Sequence, residues 1–194
     1  MKLQGLLLLV SASLLGCTAD EVTVDDRYNV DIRWTSYGMP HVKADDWGSL
    51  GYGFAYATAT DGICVFAREV ARANGTLSAD FGASNENLAS DTFYRALVTP
   101  ERVMKNAAAM SKNMRDYGAG FVAGYNRFIN DHRQTLPATC AGEKWVRPIS
   151  ELELGRMFIA FGIHYGSGNF TAGIAAAAPP GEPVAAVQLD YDVT

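Results

Sequence analysis

Residues 35–61, TSYGMPHVKADDWGSLGYGFAYATATD, bring together residue types that could form a hydrolytic site. Ser36, His41 and Asp45 match a triad, in which a base activates the hydroxyl and a carboxylate orients the base. Known triads gather their members from distant parts of a chain, whereas neighbours on a strand face alternate sides. The sequence also lacks a G-x-S-x-G turn. We therefore interpret these residues as a turn serine, a partly buried histidine and a helix cap.

The glycines of the same stretch do not have the spacing of a phosphate-binding loop. A G-x-G-x-x-G pattern that begins at Gly51 and Gly53 would need a third glycine where the chain has Tyr56, and no Gly-Lys-Ser/Thr occurs. Glycine lacks Cβ and lets another backbone approach closely. We expect Gly48, Gly51 and Gly53 to lie in a helix that other elements enclose tightly.

A metal site requires ligands in a group, and the sequence does not group them. The three histidines, His41, His132 and His164, are scattered, and no two are four residues apart. The aspartates at 45 and 46 and at 190 and 192 suit helix caps or a solvated tail. The sequence therefore predicts neither a metal ion nor another cofactor.

Composition sets the class of protein. The chain has 194 residues, of which 48% are hydrophobic and 19% charged, which is the usual range of a globular chain with one core. The formal net charge is −5. Because the basic residues do not cluster into a stripe, we expect no nucleic-acid partner.

The first seventeen residues have the pattern of an export signal. Lys2 precedes an apolar run from Leu6 to Leu15. The run is shorter than the roughly twenty residues that span a bilayer. Gly16-Cys17 resembles a bacterial lipobox, which makes Cys17 a candidate for lipidation. We expect a periplasmic protein, attached to the membrane only if such a lipid anchor is present.

The two remaining cysteines gain meaning from export into an oxidising compartment. Cys64 and Cys140 can pair with each other, stay buried as free thiols or pair with another chain. The sequence leaves all three alternatives open.

The residues of interest must be positioned by a mostly helical framework. Residues 29–44 alternate polar and apolar side chains about a turn, which predicts a β-hairpin. From Asp45 the apolar period becomes helical, with Asp45 or Asp46 as the cap and Asn74-Gly75 as the end.

Three further helices are predicted beyond residue 98. Thr99-Pro100 begins one that continues to about His132, with an apolar face formed by Met114, Tyr117, Phe121, Tyr125 and Phe128. Ser150 and Glu153 form a capping box for a helix over 151–165, flanked by Ile149 and Leu154 as a hydrophobic staple. A weak helix follows over 170–178. The fold class is mainly α with a short N-terminal hairpin.

An ordered set of segments resembles the start of the penicillin-amidase family. The segments are SYGMPHVKAD (36–45), GYGFAYA (51–57), Asp61, Asn74-Gly75 and Phe81-Gly82. The loop CAGEKWVRP (140–148) is most similar to the branch of acyl-homoserine-lactone acylases and echinocandin-type lipopeptide acylases. The resemblance runs from about residue 29 to Pro179.

The resemblance implies an N-terminal-nucleophile hydrolase. Family members are exported precursors that cut themselves into a small α subunit, a spacer and a large β subunit. The N-terminal Ser of β is the nucleophile, its α-amine is the base, and β supplies the oxyanion hole, so no catalytic residue lies in this chain. The expected organisation is a signal at 1–17, an α-subunit helical domain at 18–178 and a tail near the processing region at 179–194. With β, the chain would form a four-layer αββα heterodimer.

The resemblance also implies where substrate binds. In the family, the end of the helix that corresponds to 151–165 lines the acyl pocket. The expected wall residues here are Met157, Phe158, Phe161, Gly162 and Tyr165. The alternative is that half of them are ordinary core residues.

One family feature is missing from the sequence. The penicillin G branch binds calcium through a Glu soon after the helix that corresponds to 151–165. Here no acidic residue lies between that helix and Glu182. We therefore predict no calcium site.

The leading hypothesis is the α subunit of a periplasmic acylase that cleaves N-acyl-homoserine lactones, with penicillins as further candidate substrates. A stand-alone helical lipoprotein that acts as a binding module is the second hypothesis. A self-contained serine hydrolase is the third.

Overall fold

A hairpin and seven α-helices make up the part of the chain that the computed structural model describes, residues 27–178 and Gly181. The predicted export signal at 1–17, the lipidation of Cys17 and the tail at 179–194, apart from Gly181, lie outside these residues. The helices are, in chain order, α1 (Trp47–Asn74), α2 (Leu77–Phe81), α3 (Asn85–Leu97), α4 (Pro100–Ala109), α5 (Lys112–His132), α6 (Glu151–His164) and α7 (Thr171–Ala175).

The predicted hairpin is confirmed. Strands β1 (Val30–Trp34) and β2 (Pro40–Ala44) pair antiparallel, with Ile32 opposite Val42. The turn between them places Gly38 at a φ of 77°, a conformation that glycine adopts without steric cost. The mainly α fold class with an N-terminal hairpin is therefore confirmed as well.

Helix α1 also follows the prediction at both ends. Asp46 is the cap, since its Oδ1 accepts a hydrogen bond of 2.8 Å from the Ser49 N–H. Gly75 ends the helix with a φ of 65°. Gly62 interrupts it with non-helical dihedrals of −152° and 41°, which kinks α1 in its middle.

The prediction of a single helix over 99–132 is wrong, because the structure has two helices there, α4 and α5. Met110 has an extended backbone, and the Ser111 side chain accepts a hydrogen bond from the Met114 N–H. A serine that caps a new helix competes with continuation of the preceding one. The predicted helix over 170–178 is shorter in the structure, where a 3₁₀ helix at Ser167–Phe170 leads into α7.

The core lies where α1, α5 and α6 meet. Its buried side chains include those of Ala55, Ala59, Ile63, Phe121, Tyr125, Ile129, Leu154 and Met157. Aromatic rings of the two long helices stack there, with Phe66 and Tyr125 centroids 5.0 Å apart. The predicted apolar face of α5 is therefore core, except that Met114 at its start is exposed.

The prediction of close packing at the glycines of α1 is confirmed. A Cβ on Gly51 would lie 2.1 Å from the Tyr117 carbonyl oxygen of α5. A Cβ on Gly53 would lie 2.4 Å from Val30 Cγ2 of the hairpin. Both distances are shorter than any van der Waals contact, so only glycine allows these elements to meet.

A disulfide joins Cys64 of α1 to Cys140 in the loop between α5 and α6, with Cα atoms 5.6 Å apart. Of the three alternatives open at the level of sequence, the structure has the intrachain one. The bond fixes the loop that leads into α6 against α1. None of the helices in the described ranges is long and apolar enough to cross a membrane.

Candidate functional site

Helix α6 begins at a fully formed capping box. The Ser150 hydroxyl accepts from the Glu153 N–H at 3.3 Å, and the Glu153 carboxylate accepts from the Ser150 N–H at 2.9 Å. Ile149 and Leu154 beside the box are 5% and 2% exposed. The predicted start of this helix is confirmed. The start of the helix determines which of its later side chains share a face.

Polar contacts fix α6 against the end of α1. Asn74 donates to Glu153 Oε1 at 3.0 Å and accepts from Arg156 at 2.9 Å. Because the last residue of α1 meets the first turns of α6, the two helices run antiparallel. Arg147 from the preceding loop adds a bond of 2.7 Å to Glu153.

A groove of about 790 Å³ lies between α1 and α6, and we call it the α1–α6 groove. Val65 and Phe66 line one wall, and Met157 and Phe161 line the other. Its volume is within the range of small-molecule sites, roughly 300–1,000 Å³. The groove has apolar walls between two polar ends.

One polar end of this groove is formed by Glu69, Arg72 and Tyr94. The Arg72 guanidinium lies 2.9 Å from the Glu69 carboxylate. Tyr94 is 3% exposed, and burial raises the pKa of its hydroxyl, an effect that nearby Arg72 partly offsets. Our sequence reasoning missed these three residues, although the Glu-x-x-Arg spacing on a predicted helix is a recognisable ion-pair signal.

A second groove, of about 620 Å³, lies on the other side of α6 against α4 and α5, and we call it the α4–α6 groove. Methionines at 104, 110 and 114 line it together with Phe158 and Gly162. A Cβ on Gly162 would meet no atom within 4 Å, so this glycine borders open space.

The structure does not bring the five predicted acyl-pocket residues into one cavity. Met157, Phe161 and Tyr165 line the α1–α6 groove, whereas Phe158 and Gly162 line the α4–α6 groove. The reason is helical geometry, because residues four apart share a face and adjacent residues are rotated by about 100°. Their role as an acyl pocket stays a prediction, which the division into two grooves makes easier to test.

The residues of the apparent triad do not converge. His41 pairs with Arg33 across the hairpin, and Ser36, His41 and Asp45 are all exposed. The expectation of a partly buried His41 was wrong, since the alternation of β2 turns Val42 inward instead. Within the described ranges, no three His, Cys, Asp or Glu side chains group closely enough to hold a metal ion.

Comparison with known proteins places this arrangement in a family. The family model described as "Penicillin amidase" matches residues 29–178. The chain belongs to the penicillin amidase family. The resemblance drawn from the sequence motifs is therefore confirmed.

Relatives of this penicillin-amidase chain are named acylases. It is 39% identical over 163 residues to the acyl-homoserine lactone acylase PvdQ of Pseudomonas fluorescens, covering 80% of this chain and 21% of that protein. It is 43% identical over 168 residues to the aculeacin-A acylase of Actinoplanes utahensis, again covering 80% and 21%. The chain thus spans about a fifth of the length of the curated relatives it matches.

A solved structure supports the fold. A chain of the thermostable penicillin G acylase from Alcaligenes faecalis superposes with a TM-score of 0.64, covering 81% of this chain and 98% of that one. The identity is 22%, so the likeness concerns the fold alone.

The penicillin-amidase chain leaves apolar side chains uncovered around the α1–α6 groove. Phe161 is 45% exposed, Val65 69% and Tyr165 85%. Exposed apolar side chains gathered in one region are typical of a surface that binds a ligand or another polypeptide. The two ends of the groove differ in exposure. Tyr94 and Met157 are buried at one end, which we call the buried end, and Tyr165 is exposed at the other, which we call the open end.

Proposed function

We propose that this chain is the small α subunit of a periplasmic acylase that hydrolyses the amide bond of N-acyl-homoserine lactones, an activity that quenches quorum signals. The observation that carries the proposal is the α1–α6 groove, with its apolar walls, in a chain 39% identical to a named acyl-homoserine lactone acylase. Penicillins are a second candidate substrate class, suggested by the family description.

In this proposal the chain supplies a wall of the acyl site and the β subunit supplies the chemistry. Amide hydrolysis through an acyl-enzyme needs an activated nucleophile and donors aimed at the developing oxyanion. In the described part of the chain, Ser36 and His41 do not form such a pair. The nucleophilic serine is therefore expected in the β subunit of the same precursor.

The open end of the α1–α6 groove is the place where the two subunits would complete the site. Met157 and Phe161 would hold the acyl chain, and each methylene that they bury would contribute roughly 0.8 kcal/mol to binding. Because Tyr165 and Phe161 are exposed in the α chain alone, they are also the side chains that the β subunit would cover.

Comparison of the full-length precursor with this chain alone tests the proposal. We expect the exported precursor to mature into two subunits and to release homoserine lactone from an N-acyl substrate, while residues 18–194 alone are inactive and bind a hydrophobic dye. A folded, soluble and inactive single chain, together with an inactive precursor, would favour the lipoprotein module. Hydrolysis by the single chain would favour the self-contained hydrolase.

Localisation has its own experiment. We propose export under the direction of residues 1–17, and mass spectrometry of the mature N terminus would read the outcome directly. A diacylated Cys17 would identify a lipid anchor, and a plain N terminus near residue 18 would identify a released periplasmic protein. An intact Met1 would contradict export.

A further inference from the structure

The α1–α6 groove ends on a polar group of side chains rather than on an apolar wall. Its buried end holds Glu69, Arg72 and Tyr94. The side chains of Arg72 and Glu69 keep 31% and 27% of their surface accessible, so both can contact an occupant of the groove. Tyr94 is 3% exposed and lies beside them.

The two ends of the groove are far apart. Because α1 and α6 run antiparallel, Asp61 and His164 lie at the open end, and Arg72 and Met157 lie at the buried one. At 1.5 Å per helical residue, Asp61 and Arg72 are separated by at most about 17 Å, since the kink of α1 at Gly62 lies between them. An extended hydrocarbon chain is a zigzag in which each bond of about 1.5 Å advances the chain by about 1.3 Å, so about thirteen bonds cover that length.

We take the carbonyl of an acyl chain to lie at the open end, because Tyr165 there is 85% exposed, whereas Tyr94 and Met157 at the other end are 3% and 4% exposed. A short chain therefore touches Phe161 and Val65 and never reaches the ion pair. A chain of about fourteen carbons or more brings its last carbons against Glu69 and Arg72. A terminal methyl group there would remove water from the ion pair without replacing its hydrogen bonds, which is unfavourable.

We propose that Glu69, Arg72 and Tyr94 are specificity-determining residues that select long acyl chains with a hydroxyl group at the far end. A hydroxyl both donates and accepts, so it can bond to the Glu69 carboxylate and the Arg72 guanidinium together. The ion pair is neutral as a whole, so a terminal carboxylate or ammonium would leave one charge uncompensated. This inference rests on the proposed function, since it takes the occupant to be the acyl group of an amide substrate.

The test compares homoserine lactones that carry hexanoyl, tetradecanoyl, 14-hydroxytetradecanoyl and tetradecanedioyl groups, using the full-length enzyme. We expect kcat/KM for the hydroxylated chain to exceed that for the plain tetradecanoyl chain at least about fivefold. Glu69→Gln leaves Arg72 uncompensated and should move the preference to the carboxylate of the tetradecanedioyl chain. Tyr94→Phe should reduce the preference for the hydroxyl.

Hexanoyl turnover serves as the measure of correct folding, because a short chain does not reach these residues. Tyr56→Phe is the matched control, since it removes a hydroxyl of α1 that lies outside the groove, 3.1 Å from His132 Nε2. Unchanged ratios among the three long chains in Glu69→Gln and Tyr94→Phe, with hexanoyl turnover retained, would overturn this inference alone. Absence of turnover of every acyl chain by the wild-type enzyme would overturn the proposed function, and this inference with it.

Discussion

Gly120 of α5 faces Gly48 of α1 so closely that a Cβ on Gly120 would lie 1.8 Å from the Gly48 carbonyl oxygen. One helical turn further along α5, a Cβ on Gly124 would lie 2.1 Å from the Tyr52 carbonyl oxygen. The two long helices therefore touch backbone to backbone, and this contact positions α1 as one wall of the groove.

Gly120→Ala should destabilise the protein by about 3 kcal/mol or more, because a backbone carbonyl cannot move aside as a side chain can. Gly118→Ala is the matched control on the same helix, since its Cβ would meet only Leu154 Cδ2, at 3.8 Å. Helix propensity should make that variant more stable by about 1 kcal/mol. Thermal unfolding of the full-length protein measures both, and equal midpoints would contradict the close contact.

Much of this framework could be predicted from local signals. Asp46, Gly75 and the capping box of Ser150 act through neighbours within a few residues, so the sequence pattern contains the whole interaction. The close approach at Gly51 could be predicted because no phosphate-binding spacing explained that glycine. The break at Ser111 was missed, because the apolar period of the two helices continues across it.

The candidate site was harder to predict, because it depends on how helices pack. The sequence places Met157 and Phe158 side by side, and only the antiparallel contact of α6 with α1 assigns them to different grooves. The disulfide was open for the same reason, since 76 residues separate Cys64 from Cys140.

Loss of the disulfide should lower the stability of the folded chain by roughly 4 kcal/mol, because a closed loop of this length restricts the unfolded state strongly. We expect Cys64→Ser with Cys140→Ser to lower the unfolding midpoint, and a reducing agent to lower that of the wild type in the same way. The double variant itself should not respond to the reductant. A reductant effect of equal size in both proteins would show that it acts elsewhere.

Glu153 should make stability depend on acid pH. Burial raises the pKa of this carboxyl, but hydrogen bonds from Arg147 and Ser150 outweigh burial and lower the pKa overall. Its contribution is therefore present above the unfolded pKa of about 4.3 and lost as the pH falls through the lower folded value.

Glu153→Gln should cost about 2 kcal/mol at pH 7 and progressively less as the pH falls below 4. Unfolding midpoints measured between pH 7 and pH 3 provide the comparison. Glu151→Gln, in the same first turn but exposed, is the control and should change little. A cost for Glu153→Gln that stays constant across this range would contradict the lowered pKa.

Tyr125 should be replaceable by phenylalanine without loss of stability. Its side chain is 1% exposed, and its hydroxyl has no hydrogen-bond partner among the described residues. Tyr125→Phe removes a desolvated polar group and should be neutral or stabilising by about 1 kcal/mol. Tyr56→Phe, which removes a hydroxyl bonded to Asp131, should instead destabilise by about as much.

The same tyrosine gives an alkaline test. Burial raises the pKa of Tyr125, so the unfolded state ionises first as the pH rises above about 10, and stability falls from there. Tyr125→Phe should flatten this decline in unfolding midpoints measured between pH 8 and pH 11. An unchanged decline would assign it to other groups.

Substitution of Phe161 and of Phe158 tests which groove holds the acyl chain. They lie on the same helix and are 45% and 37% exposed, but Phe161 lines the α1–α6 groove and Phe158 the α4–α6 groove. Phe161→Ala in the full-length enzyme should shift the acyl-length profile, since each methylene that loses its contact costs roughly 0.8 kcal/mol, or about fourfold in kcat/KM. Phe158→Ala should leave the profile unchanged. The reverse result would move the acyl site to the α4–α6 groove, and a shift in both variants would mean that the β subunit merges the two grooves at the open end of α6.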